Sequence, residues 1–233
     1  MTIREVTKRV RREGQRLARR ASAWGRRAGV LPYEPERWST DQWTDAYRAG
    51  TLDYYGGLNE LARYSVIVGY IGWFATTCHR PPSVLDIGCG VGLLRSRLES
   101  VPFSDYVGVD LSDAAIHAAT ARTHTRSRFV VGDFSSLDLG CFDVVVLNEV
   151  LYYAADAAAF LDRVRSALEP EGILLVSMWR HPGDRTLWRT LDAAFALIDR
   201  VEVRNRFNPI ATRGWLVSCS RAGAGPRAGS QPR

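Results

Sequence analysis

The sequence predicts an α/β fold, a doubly wound and mostly parallel sheet with helices on both faces. Three observations carry this. From Ser83 onward, short apolar runs alternate with helical stretches, the pattern required by parallel strands joined through crossover helices. One apolar run, Val84-Leu85-Asp86-Ile87, feeds directly into the glycine turn Gly88-Cys89-Gly90-Val91-Gly92. The next two runs each close on an acid, Asp110 and Asp133, and in open α/β sheets the ligand sits beyond the carboxyl ends of the strands.

Taken in order, residues 3–27 read as a basic amphipathic helix, with Ile3, Val6, Val10, Leu17, Ala21 and Trp24 on one stripe and arginines on the other faces. Leu31 to Trp38, with Pro32 and Pro35, reads as a linker. A helical region from Thr40 to Phe74 is broken near Gly50 and Gly56–Gly57 and stops at Pro81–Pro82. Strands are expected at 83–87, 106–110, 128–131, 142–147 and 172–178. Helices are expected at 92–100, 112–124, 156–168 and 184–198, and a closing hairpin at 200–207 and 214–220. The organisation that follows is a helical extension (1–30), a helical cap (31–82), a ligand-binding domain (83–220) and a disordered tail (221–233) rich in Gly, Pro, Ser and Arg.

The 233 residues suit one well-buried domain with short extensions. A net charge of +6 raises the question of nucleic acid. The charge is at the ends, however. Residues 1–30 carry ten Lys/Arg against two acids, while residues 31–220 sum to −5. A broad phosphate-binding face is therefore not expected on the folded body. Cysteines 78, 89, 141 and 219 form no C-x-x-C pair, so no metal site is expected. No apolar h-region and no run of 18 apolar residues is present, which points to a cytoplasmic setting.

The motifs have separate chemical readings. Glycines at 88, 90 and 92 let a ligand approach the backbone where a Cβ would clash. Asp110, 22 residues after Gly88, can accept hydrogen bonds from a ribose diol; the alternative is a helix N-cap set with Ser112 and Asp113. Asp133-Phe134 can meet the amine and the face of an adenine, or form a plain turn. Asn148-Glu149-Val150-Leu151-Tyr152-Tyr153 places polar and aromatic groups after a central strand.

In this order and spacing, followed by Leu168-Glu169-Pro170-Glu171-Gly172-Ile173, the motifs of residues 83–220 resemble the class I S-adenosylmethionine (SAM)-dependent methyltransferase family. That resemblance implies a Rossmann-like seven-stranded sheet with its last strand antiparallel. It implies Gly88, Cys89, Gly90 and Gly92 along the methionine part of SAM, with Asp86 near the amino group. It also implies Asp110 on the ribose, Leu111 and Phe134 against the adenine, Asp133 at its edge, and Asn148 beside the sulfonium. Tyr55 and Arg63 are candidates for the SAM carboxylate. The Asn148–Tyr153 stretch is also similar to a subgroup that includes the nodulation N-methyltransferase. A nicotinamide dehydrogenase, the rival on this fold, expects a glycine where Leu93 stands.

The catalytic candidates are Glu149, which follows the fourth strand, and His181, which follows the fifth and whose side-chain type suits proton transfer near neutrality. The alternatives are a helix-terminal carboxylate for Glu149 and a solvated loop residue for His181. Tyr152 and Tyr153 read as pocket wall, and His79, His117 and His124 are not candidates. Half of the rings between 38 and 74, with Trp179 and Trp188, are expected to shape an acceptor pocket. The expected partner is a small molecule, such as an amino sugar, a glycolipid or a specialised metabolite. Two other readings stay open: a SAM-binding enzyme of nonstandard reaction, and a non-catalytic SAM-binding subunit. The basic helix has three readings: solvated extension, membrane-surface contact or nucleic-acid arm.

Overall fold

The computed structural model describes residues 38–122, 125–180, 184–205 and 213–222. The helix expected at 3–27 and the tail beyond Ala222 lie outside these residues. Two helices come first, α1 (Thr40–Arg48) and α2 (Leu58–Thr77), with a short 3₁₀ turn at Asp53–Gly56 between them. Ser39 and Gln42 start α1 with a reciprocal capping box, which satisfies two backbone N–H groups of its first turn. Alternation then follows: β1 (Ser83–Ile87), α3 (Leu93–Arg97), β2 (Asp105–Asp110), α4 (Asp113–Thr120) and β3 (Ser127–Val131). Next come β4 (Phe142–Asn148), α5 (Ala157–Ser166), β5 (Leu168–Trp179), α6 (Arg185–Ala194), β6 (Phe195–Asn205) and β7 (Arg213–Ala222).

The strands form one seven-stranded sheet in the order β3-β2-β1-β4-β5-β7-β6. Strands β1 to β5 pair in parallel, and β7 runs antiparallel to both β5 and β6. Strand order reverses between β1 and β4, so their carboxyl ends open a crevice. β4 shows why both faces must be covered: Val145 and Leu147 belong to one core, Val144 and Val146 to the other, and all four are fully buried. Leu161 and Val164 of α5 and Leu191 of α6 close the first core; Ile67, Ile71 and Phe74 of α2 close the second.

Several boundaries differ from expectation, β5 among them, which begins at Leu168 and not at 172. The helix expected over 184–198 ends at Ala194, because Phe195 is buried and begins the ladder opposite Ala222. The helix expected over 112–124 ends at Thr120, and α3 ends at Arg97. The segment before Ser83 is also more than a cap, since α2 supplies core side chains to the sheet.

Candidate active site

The turn after β1 fixes the crevice floor. Gly88 and Gly90 take left-handed backbone angles, φ 72° and φ 53°, which side-chain-bearing residues adopt only at a cost. Both Gly88 N–H and Cys89 N–H donate to the Val109 carbonyl at 2.8 and 3.0 Å, tying the turn to β2. A Cβ on Gly90 would stand 2.8 Å from the Tyr47 hydroxyl of α1. Above this turn lies a cavity of about 990 Å³, at the upper end of the roughly 300–1,000 Å³ common for small-molecule sites.

Acids line one side. Asp86 is buried on the cavity wall and accepts from Tyr106 Oη at 2.5 Å, while its Oδ1 has no hydrogen-bond partner. Burial first, and Asp110 further on, push its carboxyl up to about 7 against the pull of the Tyr106 hydroxyl. Asp110 accepts from Gly90 N–H and Ser112 N–H, each at 2.9 Å and on separate oxygens. The backbone N–H of Leu111 also bears on this carboxylate. Ser112, not Asp110, caps α4, accepting from Ala115 N–H. Asp133 is exposed on the cavity wall and holds Ser135 N–H at 2.8 Å.

Polar groups converge at the end of β4. Arg63 of α2 is fully buried; it is ion-paired to Glu60 at 2.9 Å and donates to Asn148 Oδ1. Glu149 adopts φ 64°, a strained angle for a non-glycine residue. That turn brings its carboxylate to the cavity wall, where Tyr152 Oη donates to Oε2 at 2.9 Å and Ser177 Oγ to Oε1 at 3.3 Å. Burial pushes the Glu149 carboxyl up to about 7, although Arg63 and the two hydroxyls pull it down.

The structure brings Asp86, Gly88, Cys89, Gly90, Asp110, Leu111, Asp133, Phe134, Asn148, Tyr55, Arg63 and Glu149 together on this one cavity. Gly92 is not among its lining residues. It starts α3 at φ 74°, and a Cβ there would press on Phe129 and Ala119 at 3.2 and 3.3 Å, so its role is helix packing. Phe134 is 3% exposed, with Phe160 on its edge and the Arg163 guanidinium over its ring, and is more core than open platform. Trp179 and Trp188 do not line the cavity; Trp188 packs in the first core beneath Arg200, and Trp179 against the second. The rings on the cavity wall are instead Trp43, Tyr47, Tyr55, Tyr64 and Tyr153, with Trp43 edge-on to Tyr153 at 5.0 Å. His181 lies outside the described residues.

Ser177 and Tyr106 were not read from the sequence, and Tyr47 was read only as one of the rings between 38 and 74. Ser177 is a lone hydroxyl in the apolar run Leu174-Leu175-Val176-Ser177-Met178, directly opposite Asn148 in the register; that break in polarity was the available signal. Tyr106 lies within a strand, and its hydroxyl partner Asp86 is set by the β1–β2 register. Tyr47 depends on how α1 docks, which local pattern does not encode.

A methyltransferase-domain family model matches residues 62–213, about two thirds of the chain. The chain belongs to the class I SAM-dependent methyltransferase family. Among characterised relatives, a ubiquinone biosynthesis O-methyltransferase of Azorhizobium caulinodans is 34% identical over 57% of the chain and 51% of the relative. A malonyl-[acyl-carrier protein] O-methyltransferase of Halalkalibacterium halodurans is 33% identical over 42% of the chain and 39% of the relative. The chain thus spans about half of the first relative's length and two fifths of the second's. Among solved structures, N-methyltransferase NodS from Bradyrhizobium japonicum WM9, in complex with S-adenosyl-L-homocysteine (SAH), superposes with a TM-score of 0.64. That match covers 78% of this chain and 98% of NodS at 18% identity, a likeness of fold.

Proposed function

We propose that this methyltransferase moves the methyl group of SAM to a nitrogen or oxygen of a small molecule, with Glu149 taking the acceptor's proton. The observation that carries the reading is the half-buried Glu149 carboxylate on the wall of the glycine-turn cavity, held by Tyr152 and Ser177 and raised to about 7. The residues suit SAM. Asp86 Oδ1 is a buried acceptor without a partner in the protein, which fits an ammonium group. Asp110, a carboxylate on the cavity wall fixed by the Gly90 and Ser112 N–H groups, fits a ribose diol, and left-handed Gly88 and Gly90 keep the floor clear of side chains. Arg63 has both terminal nitrogens engaged by Asn148 and Glu60. It therefore serves better to orient Asn148 than to grip a carboxylate, and Tyr55 is the stronger of the two for that role.

SAM supplies an electrophilic methyl on a positively charged sulfur. The protein's part is to align the acceptor and to receive one proton. A carboxyl near 7 is half ionised at neutral pH, so Glu149 Oε can accept the proton of an ammonium or an acidic hydroxyl. Tyr152 and Ser177 fix its orientation. The rings of Trp43, Tyr47, Tyr55, Tyr64 and Tyr153 give a wall suited to a sugar or a flat ring, which supports an amino sugar, glycolipid or specialised metabolite as acceptor. Similarity to a ubiquinone biosynthesis O-methyltransferase and to the N-methyltransferase NodS supports both the O and the N options.

The experiment is transfer of deuterated methyl from SAM into amino-sugar, glycolipid and phenolic acceptor pools, with SAH affinity followed by calorimetry. The parent chain should label an acceptor. Glu149→Gln should keep its SAH affinity but lose about 100-fold or more in turnover, together with the rise in rate centred near pH 7. SAH binding without labelling in any pool would favour a non-catalytic or nonstandard role. Absence of SAH binding would overturn the cofactor reading itself.

A further inference from the structure

Two charges lie in α2 where an apolar pair would serve the fold as well. Glu60 and Arg63 stand one turn apart, are 2% and 0% exposed, and are joined at 2.9 Å. The cost of taking both charges out of water offsets much of their attraction, so a buried ion pair is a poor device for stability alone. The pair is also incompletely served, since Arg63 Nε is buried with no hydrogen-bond partner among the described residues. Position accounts for it better. The Arg63 guanidinium is clamped over the rings of Tyr64 and Trp215, at 4.7 and 5.6 Å, and donates to the last residue of β4, Asn148.

Asn148 joins this pair to the base. Arginine has donors only, so the Asn148 amide turns Oδ1 toward Arg63, which fixes the orientation of its side chain. The next residue is Glu149, whose strained backbone is held by its N–H donating to the Ser177 carbonyl at 2.9 Å. Charge reaches Glu149 from the same source. The groups that bear on its carboxylate are Glu60 and Arg63 from α2, Tyr55 before that helix, Tyr152 after β4 and Ser177 of β5. Against the upward push of burial, Arg63 pulls the carboxyl down, and Glu60 opposes that pull. Without Glu60, an unopposed guanidinium would favour the ionised carboxylate and make it a weaker base.

We propose that Glu60 is a positioning residue of the active site: its carboxylate holds the Arg63 guanidinium, and through Arg63 it sets the Asn148 side chain and the charge that bears on Glu149. The consequence for catalysis rests on the methyl-transfer reading above. Glu60 keeps the proton acceptor at the basicity that a transfer near neutrality needs.

The test is a carbon-13 NMR titration of the full chain labelled at its glutamate side-chain carboxyls, with and without SAH. The Glu149 signal is assigned by its loss in Glu149→Gln, and SAH affinity is followed by calorimetry on the same samples. Glu60→Gln is expected to lower the Glu149 midpoint by about one pH unit, and Glu60→Asp, which keeps the charge, to stay near the parent. Glu60→Gln/Arg63→Met removes both charges together and so spares the fold an unpaired buried ion. There the midpoint should rise above the parent, because Arg63 is the stronger influence of the two. In turnover, the pH at which the rate rises should move with the midpoint. Three results would overturn the proposal: an unmoved Glu149 midpoint in Glu60→Gln, an unmoved or lowered one in the double variant, or a fall in Glu60→Asp as large as in Glu60→Gln. Each would leave Glu60 a structural counter-ion for Arg63. Midpoints that move as expected in a chain that transfers no methyl group would strike the methyl-transfer reading alone.

Discussion

At the scale of single residues, the glycine turn and the acids around it make the sharpest predictions. Gly90 sits at φ 53° with the Tyr47 hydroxyl 2.8 Å from where a Cβ would be. Gly90→Ala should cost about 1–2 kcal/mol for the backbone angle alone, plus the contact with Tyr47. The second part should vanish in the background of Tyr47→Phe, so thermal unfolding of the four proteins will give a coupling between the two sites. Asp86 tests the electrostatics. Its neighbours are the Tyr106 hydroxyl, Asp110 and Arg63, and burial holds it protonated up to about pH 7. SAH affinity should therefore rise with pH through 7, and Asp86→Asn should flatten that profile in calorimetry. These assignments show what the sequence made legible. Asp110 and Glu149 were readable because each closes or follows a strand whose run of Val and Leu is plain, and Asp86 because it interrupts such a run just before the glycine turn. Gly92 lies off the cavity lining, against Phe129 and Ala119, and the sequence offers no sign of this because glycine serves close ligand approach and close helix packing alike.

At the scale of elements, β1 and β4 are pinned where they start. Asp143 of β4 accepts from Ser83 N–H at 2.9 Å and from Ser83 Oγ at 3.1 Å, and Arg80 donates to both of its oxygens. Burial raises the Asp143 carboxyl, but Arg80 and Ser83 together hold it below its usual 3.8. An acid with a lowered pKa adds stability above its unfolded pKa and loses it as pH falls through the folded one. Asp143→Ala should therefore cost roughly 2–4 kcal/mol at neutral pH. The gap to the parent in denaturant titrations should narrow below about pH 3. The elements themselves followed from periodicity. Their ends did not: Phe195 continues a helical pattern locally, and it is pairing with Ala222, 27 positions later, that makes it a strand. Trp179 and Trp188 likewise carry no local sign of which side of the sheet they face, and both went to the cores.

At the scale of the whole molecule, two buried carboxyls oppose the fold as they ionise. Asp86 and Glu149 rise from 3.8 and 4.5 to about 7 each. The folded state thus holds protons that the unfolded chain has released, and stability falls as pH climbs from about 4 to 7. Melting temperature should be higher at pH 5.5 than at pH 8, and Asp86→Asn with Glu149→Gln should remove most of that slope. Sheet order has a further consequence for how the chain is made. β6 is synthesised before β7 yet lies outside it, so β6 has no strand to pair with until residues 213–222 exist. Until then the Ile173–Trp179 stretch of β5 presents a bare apolar rim, a template for pairing with another nascent chain. Birth on the ribosome therefore leaves this protein adhesive until its final strand slots home. A chain halted at residue 212 should collect in the insoluble fraction, whatever the state of its cofactor site.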